Sequence, residues 1–313
     1  MKILLTAVGK RIQLIKKLKI ASSVIGTDAG DLVAASCFLD KFYKVKKYYE
    51  DGYVEQLLDI CYKEKIDYLI PLYEKEFELL CNCRELFERK GTKLLLSSKK
   101  IIEICNDKSK TYEFFKANNI CCPKTYFKEE VPDNVKFPLI IKPFDGMGSS
   151  NVFKIKNKKE LQFFIEYVEN PIVQEFIEGI EFTIDVLCDL KGNVIFSIPR
   201  ERIEVRAGEV SKSRTIKNEK IIREVKELCN KLNGIGENEF LIGPLTIQCI
   251  LNKNNEVYFI EINPRFGGGV PLSFEAGGNY ALYLNKMKNG EDIEPLEDFK
   301  EITMLRYDEA IFI

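Results

Sequence analysis

Short apolar runs and amphipathic stretches alternate over the first hundred residues, and this alternation restricts the fold more than any other feature. Apolar strands are read over 3–7, 23–27 and 68–71, with helices over 12–18 and 53–64. A strand that lies parallel to its predecessor needs a crossover, and a helix supplies it. The pattern therefore dictates a parallel sheet with helices on its faces.

That arrangement is Rossmann-like, so a dinucleotide site has to be weighed. Gly9 follows the first strand and Asp28 ends the next, nineteen residues on, where a ribose-binding acid would stand. The intervening turn reads Ala7-Val8-Gly9-Lys10-Arg11. It lacks G-x-G-x-x-G and sets bulky side chains where a pyrophosphate needs bare backbone, so this reading is set aside. No G-x-x-x-x-G-K-[ST] phosphate loop occurs either.

At 313 residues the chain exceeds one ordinary domain, and two or three lobes are expected. A second region opens near Asn106, where Asp107 and Ser109 precede a helix whose apolar face holds Phe114 and Phe115. Pro123 and Pro138 punctuate a strand-rich segment; from Glu181 long strands return over 182–187 and 194–198, with a helix over 221–232. The fold class is α/β, the parallel sheet filling 1–105 and α+β lobes filling 106–180 and 181–313.

Composition narrows the function classes. With 45% hydrophobic and 30% charged residues the chain reads as globular. Lys plus Arg number 47 against 48 acids, a net charge of −1, so no general basic field exists to hold nucleic acid or an anionic membrane. The first apolar run is too short for a signal peptide, and none approaches the roughly 18 residues that cross a bilayer. A cytoplasmic location is the expectation. The ten cysteines, among them Cys81, Cys83, Cys121 and Cys122, have no paired C-x-x-C spacing and are read as reduced, packing thiols. There is no histidine. That removes Ser-His and Cys-His nucleophile pairs and leaves carboxylates, lysines, arginines or a bound cation to carry chemistry.

Three segments supply such groups. Lys142 ends the apolar strand Phe137-Pro138-Leu139-Ile140-Ile141 and is costly to desolvate unless an anion answers it. Asp145-Gly146-Met147-Gly148-Ser149-Ser150-Asn151 follows, a turn able to offer backbone N–H groups and hydroxyls to a polyphosphate, or simply a hairpin. The run Val173 to Asp185 holds Glu175, Glu178 and Glu181 and by itself reads as a linker with solvated acids. The third is a hairpin with strands over 245–251 and 257–262. A two-residue turn of positive φ at Asn254-Asn255 sets Gln248 opposite Glu261. Alternation then puts Asn263 on the same face and sends Ile247, Ile260 and Ile262 into the core. Three oxygen-bearing side chains without His or Cys suit Mg²⁺ holding phosphates; the plainer alternative is a cross-strand polar pair. Arg265 continues the same face and can meet an anion.

In their order and spacing these pieces resemble ATP-grasp enzymes, and among them the carbamoyl-phosphate-synthase-like carboxylate–amine ligases, over nearly the whole chain to about residue 290. The hairpin Gln248 with Glu261-Ile262-Asn263-Pro264-Arg265 carries the resemblance most specifically. By that resemblance Lys108 and Lys142 touch ATP phosphates and the turn Gly146, Gly148, Ser149, Ser150 closes over them. Glu175, Phe176 and Ile177 face adenine, and Glu181 binds the ribose. Gln248, Glu261 and Asn263 hold one or two Mg²⁺, with Mn²⁺ as an alternative ion, and Arg265 with Lys142 acts on the transferred phosphoryl group.

The resemblance further implies a small amino-acid-like carboxylate activated as an acyl phosphate and coupled to an amine, and family habit sets a homodimer as the expectation. An ATP-dependent phosphotransferase and a non-catalytic nucleotide-binding regulator are the alternatives. The chain holds one ATP-grasp unit, so carbamoyl phosphate synthesis is not expected. Substrate choice is sought in Pro199 to Val210, where Arg202 and Arg206, four apart on one strand face, either clamp a carboxylate or form an exposed ion-paired strand. Gly267 and Gly268 offer backbone donors near the same place, and Glu74 and Glu76 would wall the amine site.

Overall fold

Five parallel strands carry the N-terminal part: β1 (Lys2–Leu5), β2 (Ser23–Asp28), β3 (Lys41–Lys44), β4 (Tyr68–Ile70) and β5 (Lys93–Leu94), in the order β3-β2-β1-β4-β5. The computed structural model describes all residues of the chain except Met147, Ser149 and Ala207. Strand β1 is buried on both faces. Ile3 and Leu5 pack with Leu14, Ile15 and Leu18 of the helix Ile12–Leu18, whereas Leu4 packs with Tyr53, Leu57 and Ile60 of the helix Tyr53–Glu64. Each helix thus lays one stripe of three- and four-residue spacing on one side of the sheet. Burying such a Leu or Ile contributes about 1.5–3 kcal/mol.

Asp28 does not stand ready for a ribose. Its carboxylate accepts the backbone N–H of Gly9 at 2.9 Å and of Gly30 at 2.9 Å, tying together the loops after β1 and β2.

Two antiparallel sheets follow. The smaller has the order β6-β9-β7-β8, from β6 (Thr125–Phe127), β7 (Leu139–Pro143), β8 (Phe153–Ile155) and β9 (Pro171–Glu175). The larger has the order β14-β13-β10-β11-β12-β15, from β10 (Gly179–Cys188), β11 (Val194–Arg206), β12 (Glu209–Thr215), β13 (Gly243–Asn252), β14 (Val257–Asn263) and β15 (Thr303–Leu305). The helix Glu219–Asn233, capped by the Asn218 side chain on the Ile221 N–H, buries Ile221, Val225, Leu228, Cys229 and Leu232 against Phe182, Ile184, Val186 and Ile247. Phe114 and Phe115 join the same core from the helix Lys108–Ala117. All ten cysteines are free thiols. Among the described residues no helix is long and apolar enough to cross a membrane.

The β13–β14 hairpin departs from its sequence reading in two places. Its loop has three residues, because Asn252 and Glu256 still pair and only Asn255 adopts positive φ, at +61°. That shifts the register by one near the turn, so Leu251 faces Val257 and Cys249 faces Phe259. A bulge then skips Ile260 and restores the expected pair, Gln248 opposite Glu261. The bulge also turns Ile260 out of the core, where Ile247 and Ile262 do lie, and onto the cavity described next.

Candidate active site

A cavity of about 950 Å³ lies between the two antiparallel sheets and the C-terminal edge of the parallel one. Period-two alternation selects what lines it. From β7 come Ile140 and Lys142, from β10 Glu181 and Thr183, from β11 Arg200 and Arg202, and from β13 Thr246, Gln248 and Ile250. Their chain neighbours Leu139, Ile141, Phe182, Ile184 and Ile247 point into the cores behind.

Lys142 sits almost wholly buried on β7, opposite Ile172 of β9. Burial pushes its ammonium down to about 8 from 10.5, against the attraction of Glu261, and Lys108 lowers it further. It forms no ion pair among the described residues, whose carboxylates nearest to it are engaged elsewhere or lie at longer range. A desolvated cation without a partner is a site prepared for an anion. Asp107 caps the helix Lys108–Ala117 by accepting from the backbone N–H groups of Ser109 and Lys110, and so fixes Lys108 at the helix start. From there Lys108 Nζ donates to the Gly146 carbonyl at 2.5 Å.

Gly146, Gly148 and Ser150 line the cavity, whereas Ser149 lies outside the described residues. The turn rests on the β11–β12 hairpin. A Cβ on Gly208, whose φ is +78°, would stand 2.5 Å from the Gly148 carbonyl oxygen, so only glycine permits this approach.

Gln248, Glu261 and Asn263 all face the cavity, and the Asn263 amide donates to Glu261 Oε1 at 2.9 Å. An all-oxygen set beside an unpaired lysine fits Mg²⁺ bound to phosphates. Glu175, Phe176 and Ile177 line the cavity at the end of β9, with Lys154 Nζ 3.5 Å from the Phe176 ring centroid. Arg265 Nε donates to Glu74 at 2.6 Å, joining the large sheet to the loop after β4.

The arginine pair expected on β11 is not brought together. Register shifts on either side of Glu204 break the alternation between Arg202 and Arg206. Arg206 is exposed, pairs with Glu204 at 3.1 Å and lies outside the cavity lining. Arg202 does line the cavity, yet its Nε is 2.8 Å from Glu181, and burial raises the Glu181 carboxyl while Arg202 holds it back. Glu76 also stands apart: it is buried under the first sheet, accepting from Thr6 and Tyr53. Gly267 and Gly268 line the cavity as expected.

Sequence reading missed Arg11, Asp185 and Arg200. Arg200 donates to Asp185 through Nε at 2.6 Å and Nη2 at 3.0 Å, both side chains being fully buried. Asp185 stands among apolar neighbours on β10, but Arg200 is one of five charged residues at the end of β11, so spacing alone did not pair them. Nor did spacing point to Arg11, since only the tertiary fold carries the loop after β1 to the glycine run.

Comparison with known proteins places this constellation. Residues 105–269 match the ATP-grasp domain family, and residues 3–95 match the PylC-like N-terminal domain. The chain belongs to the ATP-grasp family. Tyramine–L-glutamate ligase of Methanocaldococcus fervens is 27% identical over 265 residues, covering 83% of this chain and 80% of that one. The carbamoyl phosphate synthase large chain of a Thermoanaerobacter species is also 27% identical, over 74% of this chain. This ATP-grasp chain spans only 22% of that relative's length. Among solved structures, N5-carboxyaminoimidazole synthetase from Staphylococcus aureus in complex with ADP superposes with a TM-score of 0.76 at 20% identity, covering 98% of this chain and 82% of that one, a likeness of fold.

Proposed function

We propose that the chain is a Mg²⁺- and ATP-dependent carbon–nitrogen ligase that activates a small, amino-acid-like carboxylate as an acyl phosphate and transfers the acyl group to an amine. The observation that carries this reading is the desolvated, unpaired Lys142 facing Gln248, Glu261 and Asn263 across one cavity, with Arg265 at its edge. The neighbouring ligases among the relatives support it.

On this reading Lys142 and Lys108 hold the ATP phosphates, and the turn from Gly146 to Ser150 covers them. Glu175, Phe176 and Ile177 take the adenine; Glu181 takes the ribose hydroxyls and shares its charge with Arg202. One or two Mg²⁺ on Gln248, Glu261 and Asn263 supply neutralisation and alignment of phosphate charge when bound. A carboxylate oxygen of the donor attacks the γ-phosphorus, ADP leaves, an amine nitrogen attacks the acyl carbon, and phosphate departs with loss of a proton from nitrogen. Arg265 stabilises the charge that develops on the acyl phosphate oxygens. Positioning and electrostatics suffice for such phosphoryl transfer, so the lack of histidine is no obstacle. The same reading divides the chain near residues 105 and 180, with the first part walling the acceptor side through Glu74.

Incubation of the full chain with Mg-ATP and pools of carboxylates and amines, followed by ADP, phosphate and product mass, tests this. ADP release that needs both an acid and an amine is expected. Release that never depends on an amine would replace the ligase with a phosphotransferase, and no release with any pool would leave a nucleotide-binding regulator.

A further inference from the structure

Two opposite charges from distant segments stand over Gly268 and leave each other unpaired. A Cβ on Gly268 would lie 3.3 Å from Glu209 Cδ, 3.5 Å from its Oε1 and 3.4 Å from Arg11 Nη1, and these are its nearest neighbours. Arg11 comes from the loop after β1 and Glu209 opens β12, and both line the large cavity. The glycines on either side are packed tightly. A Cβ on Gly267 would stand 2.9 Å from Thr246 Oγ1, and one on Gly269 only 2.4 Å from Arg200 Nη1. Those close approaches fix the run on the buried Asp185–Arg200 pair, and Gly268 is left facing the two charges of the cavity wall.

Each charge keeps a free edge. Glu209 gives Oε2 to Arg306 Nη1 at 2.9 Å, while Oε1, the oxygen nearer Gly268, accepts no hydrogen bond among the described residues. Burial raises the Glu209 carboxyl, but Arg306, Arg11 and Lys10 together hold it below the usual range, so it is ionised at neutral pH. The half-buried Arg11 guanidinium makes no hydrogen bond or ion pair among the described residues, and Glu74, the other acid near it, is bound to Arg265. Burial and then the like charge of Arg265 depress the Arg11 guanidinium, so the two arginines are neighbours in the cavity. Partly desolvated charges without partners are costly, and a ligand that carries the complementary pair meets both at once.

Activation of a carboxylate calls for Arg265 and the phosphate-binding groups; it gives no employment to Glu209 Oε1 or to Arg11. We propose that these two groups read the ends of a free α-amino acid beside Gly268, Glu209 Oε1 accepting from its ammonium and Arg11 donating to its carboxylate, so that the acyl donor must carry an unblocked α-amino group. This deepens the ligase reading above and rests on it. The ammonium and carboxylate of an α-amino acid are one carbon apart, which matches two charges that share a single glycine as neighbour. Arg11 then holds the carboxylate oxygen that does not attack the γ-phosphorus, on the side of Arg265. Arg306 is a positioning residue, since it fixes Glu209 through Oε2 and leaves Oε1 to the ligand. A plain carboxylate or an N-acylated amino acid leaves Glu209 without its cation, and a site built around a polar group rejects analogues that lack it.

The test gives the full chain Mg-ATP, hydroxylamine and one acid at a time: L- and D-amino acids, their deamino counterparts and their N-acetyl derivatives. The donor carboxylate takes the γ-phosphoryl group and ADP leaves; the hydroxylamine nitrogen then attacks the acyl carbon, displaces phosphate and loses a proton to give a hydroxamate. The best amino acid should exceed its deamino and N-acetyl forms by about 100-fold in kcat/KM. Glu209→Gln should shrink that preference by about tenfold or more, through the KM of the amino acid and with the KM of Mg-ATP unmoved. Gly268→Ala, at a position whose φ is outside the left-handed region, sets a methyl group between the two charges and should raise the same KM. The affinity for Mg-ADP reports that both variants are folded. Deamino or N-acetyl acids used as well as the amino acid, or a preference that survives in both variants, would overturn the proposal and leave the ligase standing. Hydroxamate from no acid at all would remove the ligase reading and this proposal with it.

Discussion

Lys142, proposed above to hold ATP phosphates, should destabilise the ligand-free protein. Burial lowers its pKa to about 8, whereas an unfolded lysine titrates near 10.5. Between these values the unfolded chain binds the extra proton, so stability rises with pH across that window and the electrostatic cost is complete below it. A difference of this size corresponds to about 3 kcal/mol at pH 7. Lys142→Met keeps an unbranched side chain on β7 and removes the charge. The ligand-free variant should therefore resist urea better than the parent at pH 7, by up to about 3 kcal/mol, with the advantage shrinking from pH 8 and gone by about 10.5. Mg-ATP should raise the parent's midpoint by more than the variant's, because the phosphates lose one of their two proposed lysines. For the parent, nucleotide affinity should weaken by about tenfold between pH 7 and pH 9, as the free site loses its proton. A variant less stable than the parent at pH 7, or a difference that does not change with pH, would refute the reasoning.

Two further outcomes follow from the same cavity and its supports. Glu261→Gln keeps shape but removes the one negative charge of the proposed metal set, so turnover should fall by at least about 100-fold while nucleotide binding without Mg²⁺ is unchanged, as read by calorimetry. Glu76 is buried and raised to about 7 from 4.5. The folded state then holds the extra proton between those values, stability falls as pH climbs through them, and Glu76→Gln should gain on the parent above pH 7 and show no gain at pH 4.5 in thermal melts.

How far the sequence disclosed the fold depended on how strongly each element is amphipathic. The helices Ile12–Leu18 and Tyr53–Glu64 were readable to the residue, since both lay one apolar stripe on a sheet. Strand β3 was not: Lys41-Phe42-Tyr43-Lys44 has no fully buried residue and pairs only at the sheet edge. Strand β15 is another exposed edge, fixed by β12 rather than by its own pattern. Within the site, Lys142, Gln248, Glu261 and Asn263 were legible because a polar residue on a buried strand needs a reason. Arg11 and Arg200 were not, because their meaning lies in contacts across lobes and strands, and the Arg202–Arg206 face failed because bulges leave no mark in spacing.

The β13–β14 hairpin shows how a correct pairing can follow from an incomplete account. A two-residue turn sets Gln248 opposite Glu261, and so does the observed three-residue loop followed by a bulge at Ile260, since the two single-residue shifts cancel. The alternatives differ in what else they bring to the cavity. Without the bulge, Ile260 would point into the core and Phe259 to the cavity face; with it, Ile260 joins Ile250 on the cavity wall, while Phe259 and Ile262 keep the core filled. The bulge thus adds an apolar side chain to the cavity wall next to Glu261, the carboxylate proposed to hold metal, without moving that carboxylate off its face. Ile250 and Ile260 line the same cavity as Phe176 and Ile177, and apolar side chains of this kind suit the flat ring proposed to bind there.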